Sequence, residues 1–327
     1  MSCPVGTDVE FAASLLRNGK LVAFPTETVY GLGANALNRL AVAKIFDVKN
    51  RPRFDPLIVH LAEFRSLETY AAEIPDVAYR LAERFWPGPL TMVLKKRELI
   101  PDLVTAGLQT VALRIPNHPL ALKLVEQSEC AIAAPSANPF GAISPTSAEH
   151  VLEQLGESID YILDGGACTV GLESTVISLV FEEGQELPML LRPGGLPIEQ
   201  IEKIAGPIIT AQNTVDERAA QSPTQSPGML SRHYAPSTPL TIIEDIESFC
   251  SNATVGFLSF GLDSHREKFE IVEILSEQEN LVEAAAGFYA ALRRLDAMKL
   301  DSIVAMPFPD EGLGRALNDR LKRAAFR

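Results

Sequence analysis

Polar side chains stand at several points where a short apolar run of the sequence ends. Ligands of open α/β sheets bind beyond the ends of the strands, so side chains in such positions can converge on one site. An arginine at a strand end is costly to bury without an anionic partner, and the set also offers hydroxyl and amide groups. The pattern therefore indicates an anion-binding α/β enzyme. The residues are Thr26, Thr28, His60, Arg114, Ser136, Asn138, Ser174, Thr175 and Arg192.

Simpler interpretations exist for the same residues. His60 could be a histidine whose ring is satisfied at a strand terminus. Ser136 and Asn138 lie between prolines and could serve only to form turns. For Arg114 and Arg192, the residue types alone leave ligand binding and a structural role open.

A basic cluster on an acidic chain gives a second indication. The net charge is −13, and phosphate contacts supply most of the affinity for nucleic acids, so tight direct binding of a nucleic acid is not expected. A local group of cations fits a small polyanion better. We interpret Arg39 and Lys44 as a solvated helix face, and the remaining three as binding residues that follow the helix among turn residues. The basic residues are Arg39, Lys44, Lys49, Arg51 and Arg53.

Several familiar catalytic motifs are absent from the sequence. It contains no Gly-x-x-x-x-Gly-Lys-Ser/Thr phosphate loop and no Gly-x-Ser-x-Gly nucleophile elbow. Gly31 and Gly33 lack the third glycine of a glycine-rich loop, and we predict a turn there.

The apolar pattern of residues 1–209 predicts a mixed α/β sheet. The first helix is expected between a Thr7-Asp8-Val9-Glu10 capping box and Asn18-Gly19. Strands and helices interleave without strict alternation, which is typical of sheets of mixed direction. Strands are predicted at residues 21–24, 56–60, 90–94, 110–115, 131–134, 161–163, 175–180 and 189–191. Further helices are predicted at residues 41–46, 75–85, 118–127 and 147–155.

The composition changes after Gly206, where residues 210–239 become rich in Gln, Ser, Thr, Pro and Ala. This composition predicts a linker, although Arg232-His233-Tyr234 within it suggests more than a connection. From residue 240 onward the pattern predicts a smaller, Rossmann-like α/β domain with a mostly parallel sheet and no dinucleotide motif. Its strands are predicted at residues 240–243, 254–258, 271–275 and 303–306, and its main helices at 281–298 and 314–325.

The remaining bulk properties favour a cytoplasmic protein that does not enter a membrane. With 46% apolar and 22% charged residues, the chain resembles ordinary soluble proteins, and no apolar run reaches the length of a membrane span. Its first ten residues lack the features of a signal peptide. The four cysteines form no Cys-x-x-Cys pair, which disfavours a zinc ribbon or a disulfide scaffold and favours reduced thiols.

Taken together in their order, the motifs resemble those of the threonylcarbamoyl-AMP synthase family. The N-terminal ones belong to its YrdC-like domain, a twisted mixed sheet with helices, and the linker motifs are similar to those of its longer, two-domain members. The resemblance covers essentially the whole chain, and this many motifs in one order is highly specific. The runs are PTETVYGL (25–32), KNRP (49–52), PLIVH (56–60), PSAN (135–138), SPT (144–146), ESTV (173–176), RPG (192–194), SPGM (226–229) and RHYAP (232–236).

This resemblance implies an ATP-using nucleotidyltransferase. In that family, bicarbonate and the amino group of L-threonine form a carbamate, which is then adenylated with release of pyrophosphate. The product feeds threonylcarbamoyladenosine formation in tRNA, a transfer done by other, downstream proteins. Mg²⁺ is the cofactor expected with ATP, and no protein-held metal is implied.

The resemblance also assigns roles to individual residues. Lys49 and Arg51 are expected to stabilise phosphate and transition-state charge, and no protein nucleophile is needed because the carbamate itself attacks the α-phosphorus. The linker around Tyr234 is expected to close over the site and shield the product. Threonine is expected to contact Thr28, His60, Arg114, Ala134 and Ser174. ATP is expected to contact Lys49, Arg51, Asp55, Thr110, Ser136, Asn138, Ser144, Arg192 and Tyr234.

One position departs from the family pattern. Family members commonly have Asp-Asn before the PLIVH run, where this chain has Phe54-Asp55. An acidic Asp55 near phosphates would repel them unless a metal or Arg53 intervenes.

Three other functions are compatible with parts of the pattern. An RNA-binding module would show RNA affinity without nucleotide turnover. A carbamoyl-transfer enzyme with a related domain would carry zinc-finger cysteines, which this sequence lacks. A regulatory relative without activity is disfavoured by the intact polar set.

Overall fold

The protein consists of two α/β bodies, each built on its own β-sheet. The computed structural model describes residues 3–181, 186–210, 233–251, 253–262 and 266–326, and within those ranges the sheets have twelve and four strands. The first sheet comprises β1 (Val5–Gly6), β2 (Val22–Phe24), β3 (Gly31–Asn35), β4 (Ile58–His60), β5 (Ala71–Ala72), β6 (Leu90–Lys96), β7 (Thr110–Arg114), β8 (Ile132–Ala133), β9 (Tyr161–Leu163), β10 (Thr175–Ser178), β11 (Met189–Arg192) and β12 (Ile209–Thr210). The second comprises β13 (Leu240–Ile242), β14 (Val255–Ser259), β15 (Ile271–Ile274) and β16 (Ser302–Ala305).

Helices cover both sheets. Among the described helices, none is long and apolar enough to cross a bilayer. Short 3-10 turns occur at Phe64–Ser66 and Arg266–Lys268. The first body contains α1 (Val9–Arg17), α2 (Arg39–Lys49), α3 (Leu67–Tyr70), α4 (Asp76–Phe85), α5 (Asp102–Thr105), α6 (Pro119–Ser128), α7 (Ala148–Leu155) and α8 (Ile198–Ala205). The second contains α9 (Leu281–Ala297) and α10 (Gly314–Ala325).

The first sheet mixes parallel and antiparallel pairs, as predicted. Its order is β1-β9-β2-β3-β8-β4-β7-β6-β10-β11-β12, and β5 pairs with β6 at the side. β4 runs parallel to β7 and β6 runs parallel to β10, whereas β6 and β7 are antiparallel. The second sheet has the order β13-β16-β14-β15 with parallel pairs throughout, which confirms the predicted Rossmann-like character.

The register of the first sheet brings predicted site residues into one row. His60 on β4 is paired with Arg114 on β7. On the far side of β6, Val176 on β10 is paired with Arg192 on β11. β6 joins the two pairs because it is bonded to both β7 and β10, with Thr91 opposite Val176.

The first helix begins one residue later than its capping box suggests. Asp8, in an extended conformation, caps α1 by accepting a hydrogen bond of 3.0 Å from the backbone N–H of Phe11. A box with Thr7 as the cap was therefore wrong by one position. The predicted end is confirmed, since Asn18 follows the last helical residue.

The second helix reaches further than predicted. Asn38 caps its start, and Asn50 ends it in a left-handed conformation with φ of 50°. Lys49 is therefore the last residue of α2. The expectation that it follows the helix in a turn was wrong, and only Arg51 and Arg53 do so.

The glycine pair expected in a turn lies inside β3 instead, so that prediction was wrong. A Cβ on Gly33 would lie 2.8 Å from Cγ2 of Ile132 and 3.0 Å from the ring of Phe24. Real Cβ atoms do not approach so closely. The absence of a side chain at Gly33 therefore allows β3 to pack closely against Ile132 and Phe24. A motif search cannot reveal this contact.

The two bodies share a hydrophobic core. Val29, Ile143 and Leu172 of the first body belong to the same buried cluster as Phe288 and Leu292 of α9. The domain boundaries at 1–209, 210–239 and 240–327 remain a prediction. Most of the predicted linker, residues 211–232, lies outside the described residues, and with it the SPGM run and Arg232.

Candidate active site

A cleft at strand ends of the first sheet collects most of the predicted site residues. It has a volume of about 50 Å³ and is partly open to solvent. Those that line it are Thr28, Arg51, His60, Arg114, Ala134, Ser136, Ser174, Arg192 and Tyr234. Four more are buried and bonded to that lining or to one another, namely Lys49, Asp55, Asn138 and Ser144.

Buried charge is concentrated at this cleft. Within the described ranges, every buried Asp, Glu, Lys and Arg side chain lines the cleft or is bonded to a residue that does. Buried charges are costly unless they are paired or bind a ligand. Cations outnumber carboxylates, which suits the site to a polyanion. The cations are Lys49, Arg51, Arg114, Arg192 and Arg320, and the carboxylates are Glu27, Asp55 and Glu173.

Arg114 is held by three groups on one side of the cleft. Its Nη2 lies 2.7 Å from Oε1 of Glu27, and its Nη1 donates a hydrogen bond of 2.9 Å to Oγ1 of Thr28. Its Nε donates to the carbonyl of Gly88 at 3.2 Å. The Thr28 hydroxyl is bonded in turn to that of Thr26 at 2.8 Å. The guanidinium is thereby fixed in orientation before any ligand arrives.

His60 lies beside Arg114 as a neutral imidazole. Burial, assisted by the positive charge of Arg114, lowers the pKa of His60 to about 3. Its ring packs edge-on against Phe24, with the centroids 5.7 Å apart. Nδ1 has no hydrogen-bond partner among the described residues. The site therefore has no second positive charge at this point.

Arg51 is paired with the residue that departs from the family pattern. Its Nη2 lies 2.8 Å from Oδ2 of Asp55, and both side chains are buried. Arg51 also donates to the carbonyls of Asp55 and Pro56, at 3.2 Å and 2.9 Å. Arg53, which the sequence offered beside a metal as a way to offset the charge of Asp55, is exposed, and Arg51 provides the opposite charge instead.

Lys49 binds a neighbouring loop from the end of α2. Its Nζ donates to the backbone carbonyl of Ser136 at 2.6 Å and to that of Asn138. Burial, with repulsion from Arg51, lowers the pKa of Lys49 well below its usual value, against the attraction of Asp55. An ammonium group has three donors, so one remains for a ligand.

Arg192 and Ser174 meet on the opposite side of the cleft. Arg192 donates through Nη2 to the Ser174 carbonyl at 2.9 Å and to its Oγ at 3.3 Å. The Ser174 hydroxyl is bonded to that of Thr91 at 2.7 Å. Ser174 of the ESTV run thus accepts hydrogen bonds that help to orient the Arg192 guanidinium.

Glu173 is a site residue that sequence reasoning missed. Its carboxylate accepts hydrogen bonds from Ser144 (2.6 Å), Tyr289 (2.9 Å) and Arg320 (2.7 Å). Burial alone would raise the pKa of Glu173, but the charges of Arg320 and Arg192 outweigh it and lower that pKa. Two of these partners come from the second body, so no local motif could have found them.

Tyr234 reaches the cleft from the chain segment before the second body. It has a left-handed backbone with φ of 63° and is almost fully buried. Its ring packs on His233, with centroids 4.1 Å apart, and lies 4.9 Å from the guanidinium carbon of Arg320. Its hydroxyl has no hydrogen-bond partner among the described residues. His233 also lines the cleft and was missed as a separate site residue.

Thr110 is not brought to the cleft. It opens β7 and is opposite Lys95, whereas Arg114 closes the same strand. At about 3.3 Å per residue, the two lie roughly 13 Å apart along the strand. Its assignment to ATP rests on the resemblance alone and remains a prediction.

Both parts of the chain match known families. Residues 14–194 match a family described as telomere recombination. Residues 196–326 match one described as threonylcarbamoyl-AMP synthase, C-terminal domain.

Individual relatives match over nearly the full chain. The chain is 45% identical to a threonylcarbamoyl-AMP synthase of Pyrococcus abyssi, covering 97% of this chain and 94% of that protein. It is 46% identical to a threonylcarbamoyl-AMP synthase of Bacillus subtilis, covering 96% and 92% respectively. Its fold is similar to the crystal structure of P. abyssi Sua5 complexed with L-threonine, with a TM-score of 0.90 and 44% identity over 99% of this chain and 97% of that chain.

Proposed function

Because this chain belongs to the threonylcarbamoyl-AMP synthase family, we propose that it makes L-threonylcarbamoyl-AMP from L-threonine, bicarbonate and ATP, with release of pyrophosphate. The observation that carries the proposal is the gathering of the buried cations around one cleft beside hydroxyl groups and a neutral histidine. ATP is a polyanion and threonine a zwitterion, so one site must combine surplus positive charge with polar neutral groups. A similar protein solved with L-threonine supports the choice of amino acid.

Threonine is proposed to bind where Arg114, Thr28 and His60 meet. Arg114 would receive the carboxylate, since its fork suits two carboxylate oxygens and its orientation is already fixed by Thr28 and Gly88. His60 is neutral, so it does not repel the ammonium group of threonine. Ala134 and Ser174 complete the lining as the resemblance assigns them.

The chemistry is proposed to proceed in two steps. The ammonium group loses two of its three protons, one to solution and one to the hydroxide that leaves bicarbonate as water, and its nitrogen bonds to the bicarbonate carbon to give a carbamate. A carbamate oxygen then attacks the α-phosphorus of ATP, and the bond to the β-phosphate oxygen breaks as pyrophosphate leaves. No protein nucleophile takes part, so positioning and charge stabilisation carry the catalysis.

The phosphates are proposed to lie between Arg51 and Arg192, with Lys49 behind them. Both arginines line the cleft, and Lys49 keeps one donor beyond its two carbonyl bonds. Asp55 does not repel the phosphates in this arrangement because Arg51 is paired with it at 2.8 Å. Ser136, Asn138 and Ser144 would contact the rest of the nucleotide, as the resemblance implies.

Mg²⁺ is proposed to enter as the counterion of ATP. Within the described residues, no group of three His, Cys, Asp or Glu side chains is arranged to hold a metal ion. The carboxylates of Asp55 and Glu173 are already paired with arginines. Mg²⁺ usually keeps several water ligands and is held through substrate phosphates, which fits such a site.

Shielding of the product is proposed to come from the segment that carries Tyr234. The threonylcarbamoyl-AMP anhydride is labile in water, and Tyr234 already covers one side of the cleft. Deleting residues 226–236 should sharply reduce product formation. Downstream tRNA threonylcarbamoyl-transferase proteins would receive the product, and the net charge of −13 speaks against tight direct tRNA binding by this chain.

The function is tested by pyrophosphate release from ATP. Release should require both threonine and bicarbonate, and mass spectrometry should detect the threonylcarbamoyl adduct of AMP. Arg51→Ala should abolish release, whereas Arg39→Ala, which changes an exposed arginine at the start of α2, should leave it unchanged. Pyrophosphate release that ignores threonine would refute the proposal.

A further inference from the structure

The Glu173 carboxylate is the point where the second body reaches the active site. Glu173 lines the cleft and immediately precedes Ser174. Its two carboxylate oxygens accept hydrogen bonds from Tyr289 on α9 and from Arg320 on α10. Both partners are fully buried, and Arg320 is the largest fully buried side chain in the described residues. An arginine buried this deeply is costly unless its charge is paired, and Glu173 provides that pairing.

Arg320 holds the backbone around Arg192 as well as the carboxylate. Its Nη2 donates to the carbonyl of Pro193 at 3.0 Å, directly after Arg192. The Glu173 carbonyl accepts a hydrogen bond of 2.8 Å from the N–H of Gly195, which ties the same two segments together. Arg192 in turn donates to the Ser174 carbonyl. The guanidinium of Arg320 therefore binds both the Glu173 segment and the Pro193 segment, and Arg192 is bonded to the first and directly precedes Pro193.

Charge gives Arg320 a second effect. Glu173 is a buried carboxylate on the cleft wall, where a nucleotide triphosphate would meet it. Arg320 pairs with it at 2.7 Å, while Ser144 and Tyr289 satisfy the remaining lone pairs. Arg192 lies close enough to Glu173 for its charge to lower the pKa of that carboxyl. Without Arg320, the negative charge of Glu173 would attract Arg192 away from the phosphates and would repel the phosphates themselves.

We propose that Arg320 and Tyr289 of the C-terminal body are positioning residues for the active site, which neutralise Glu173 and set Arg192 for the phosphates of ATP. The inference rests on the proposed function, and it gives the C-terminal body a direct part in that function. Arg320 also lies 4.9 Å from the ring centre of Tyr234, so the same side chain supports the segment that covers the cleft. Neither residue lines the cleft itself.

Steady-state kinetics of full-length variants test the proposal. Arg320→Gln removes the ion-pair partner of Glu173, so the KM for ATP should rise about ten-fold or more, because a buried charge without its partner interacts strongly with its surroundings. Arg320→Lys keeps the charge but loses the fork, and Tyr289→Phe loses one hydrogen bond, so both should fall between Arg320→Gln and wild type. The matched control is Arg315→Gln on the same helix, which breaks another contact to the first body, the 2.8 Å pair with Glu199 away from the cleft. That variant should keep the wild-type KM.

A double variant separates charge neutralisation from a merely structural role. Glu173→Gln with Arg320→Gln removes both charges, and should recover most of the ATP affinity lost in Arg320→Gln alone. A double variant no better than the single one would overturn the proposal. The proposal would also be overturned if Arg320→Lys and Tyr289→Phe had the same KM for ATP as Arg315→Gln. These two milder changes still test the proposal if Arg320→Gln does not fold.

Hydrogen exchange of the ligand-free protein gives a readout that does not depend on the reaction. Arg320→Lys and Tyr289→Phe should speed amide exchange at Gly195 and in residues 173–176, while Arg315→Gln should not. If the wild-type protein did not release pyrophosphate in a threonine-dependent manner, the proposed function would be wrong. Exchange unchanged in the Arg320 and Tyr289 variants would defeat the positioning role, whatever the kinetics of the wild type.

Discussion

Nη2 of Arg114 lies 2.7 Å from Oε1 of Glu27, with the two side chains only 4% and 5% exposed. This buried pair forms the wall on which we place the threonine carboxylate. Glu27→Ala would leave the Arg114 charge buried without its carboxylate. We therefore expect the free energy of unfolding to fall by about 3–5 kcal/mol, measured by urea denaturation.

A surface pair of the same length provides the control for Glu27. Arg17 and Glu10 are also 2.7 Å apart, but their side chains are 36% and 65% exposed. Water screens such pairs, so Glu10→Ala should change the free energy of unfolding by less than about 1 kcal/mol. Equal losses in the two variants would show that burial of the Arg114 pair is unimportant.

Arg114 and Arg192 should differ in the substrate whose KM they control. Arg114→Lys keeps a positive charge but cannot form two parallel bonds to a carboxylate. Since a charge-assisted hydrogen bond contributes about 1.5–3 kcal/mol, the KM for threonine should rise about 10- to 100-fold. The KM for ATP should hardly change.

Arg192→Lys is the reciprocal control, because both arginines line one cleft. There the KM for ATP should rise and that for threonine should change less. Steady-state titration of each substrate at saturating levels of the other separates the two effects. If both variants raised both KM values equally, the assignment of the two arginines to different substrates would be wrong.

The sequence was informative where local chemistry decides structure. The apolar runs before His60 and Arg114 predicted strands, and the register of β4 and β7 shows these residues side by side. What it could not predict depends on contacts between distant segments. Glu173 is bonded to Tyr289 and Arg320 on two helices of the second body, more than a hundred residues later in the chain.

Misread residues show the same limit. Gly33 is required by Phe24 and Ile132, which approach it only after folding, so a local pattern could suggest a turn but not a strand. Lys49 carries a charge that composition alone assigns to a surface or a ligand. The structure buries its ammonium group against two loop carbonyls, a use that no spacing rule anticipates.

His60 should make stability depend on pH. Its folded-state pKa, lowered to about 3, lies below the usual 6.5, so between these values the unfolded state binds a proton that the folded state does not. Stability from this group is complete above pH 6.5 and is lost as the pH falls, by up to about 1.4 kcal/mol per pH unit. Denaturation curves at several pH values should show His60→Gln with a shallower loss between pH 6.5 and 4.5 than wild type.

The same variant at pH 8 provides the baseline for His60. Both proteins are neutral at this position there, so any difference in stability reports packing alone. Other histidines contribute to the remaining slope, since burial also lowers the pKa of His150 to about 4. An identical pH dependence in His60→Gln and wild type would mean that His60 is protonated in the folded protein.

Two glycine-to-alanine changes should have opposite effects on stability. At Gly33 a Cβ would lie 2.8 Å from Ile132, and such overpacking costs about 1–3 kcal/mol. At Gly287, inside α9, the nearest described atom would be 3.8 Å away, and alanine favours a helix by about 1 kcal/mol over glycine. Thermal unfolding should therefore show a lower Tm for Gly33→Ala and a raised one for Gly287→Ala. A Tm that is unchanged or raised in Gly33→Ala would contradict the packing described for β3.

Tyr234 offers a hydroxyl that the described protein does not use. Its ring packs on His233 and beside Tyr289, whereas its oxygen is buried without a described hydrogen-bond partner at the cleft. Tyr234→Phe keeps the packing and removes only that oxygen, so the Tm should stay within about one degree of wild type. If the hydroxyl contacts ATP, the KM for ATP should rise about 3- to 10-fold, the effect of one neutral hydrogen bond. Tyr79→Phe, which removes an exposed hydroxyl 3.1 Å from Glu68, should change neither KM, and an unchanged KM in Tyr234→Phe would remove this residue from the nucleotide site.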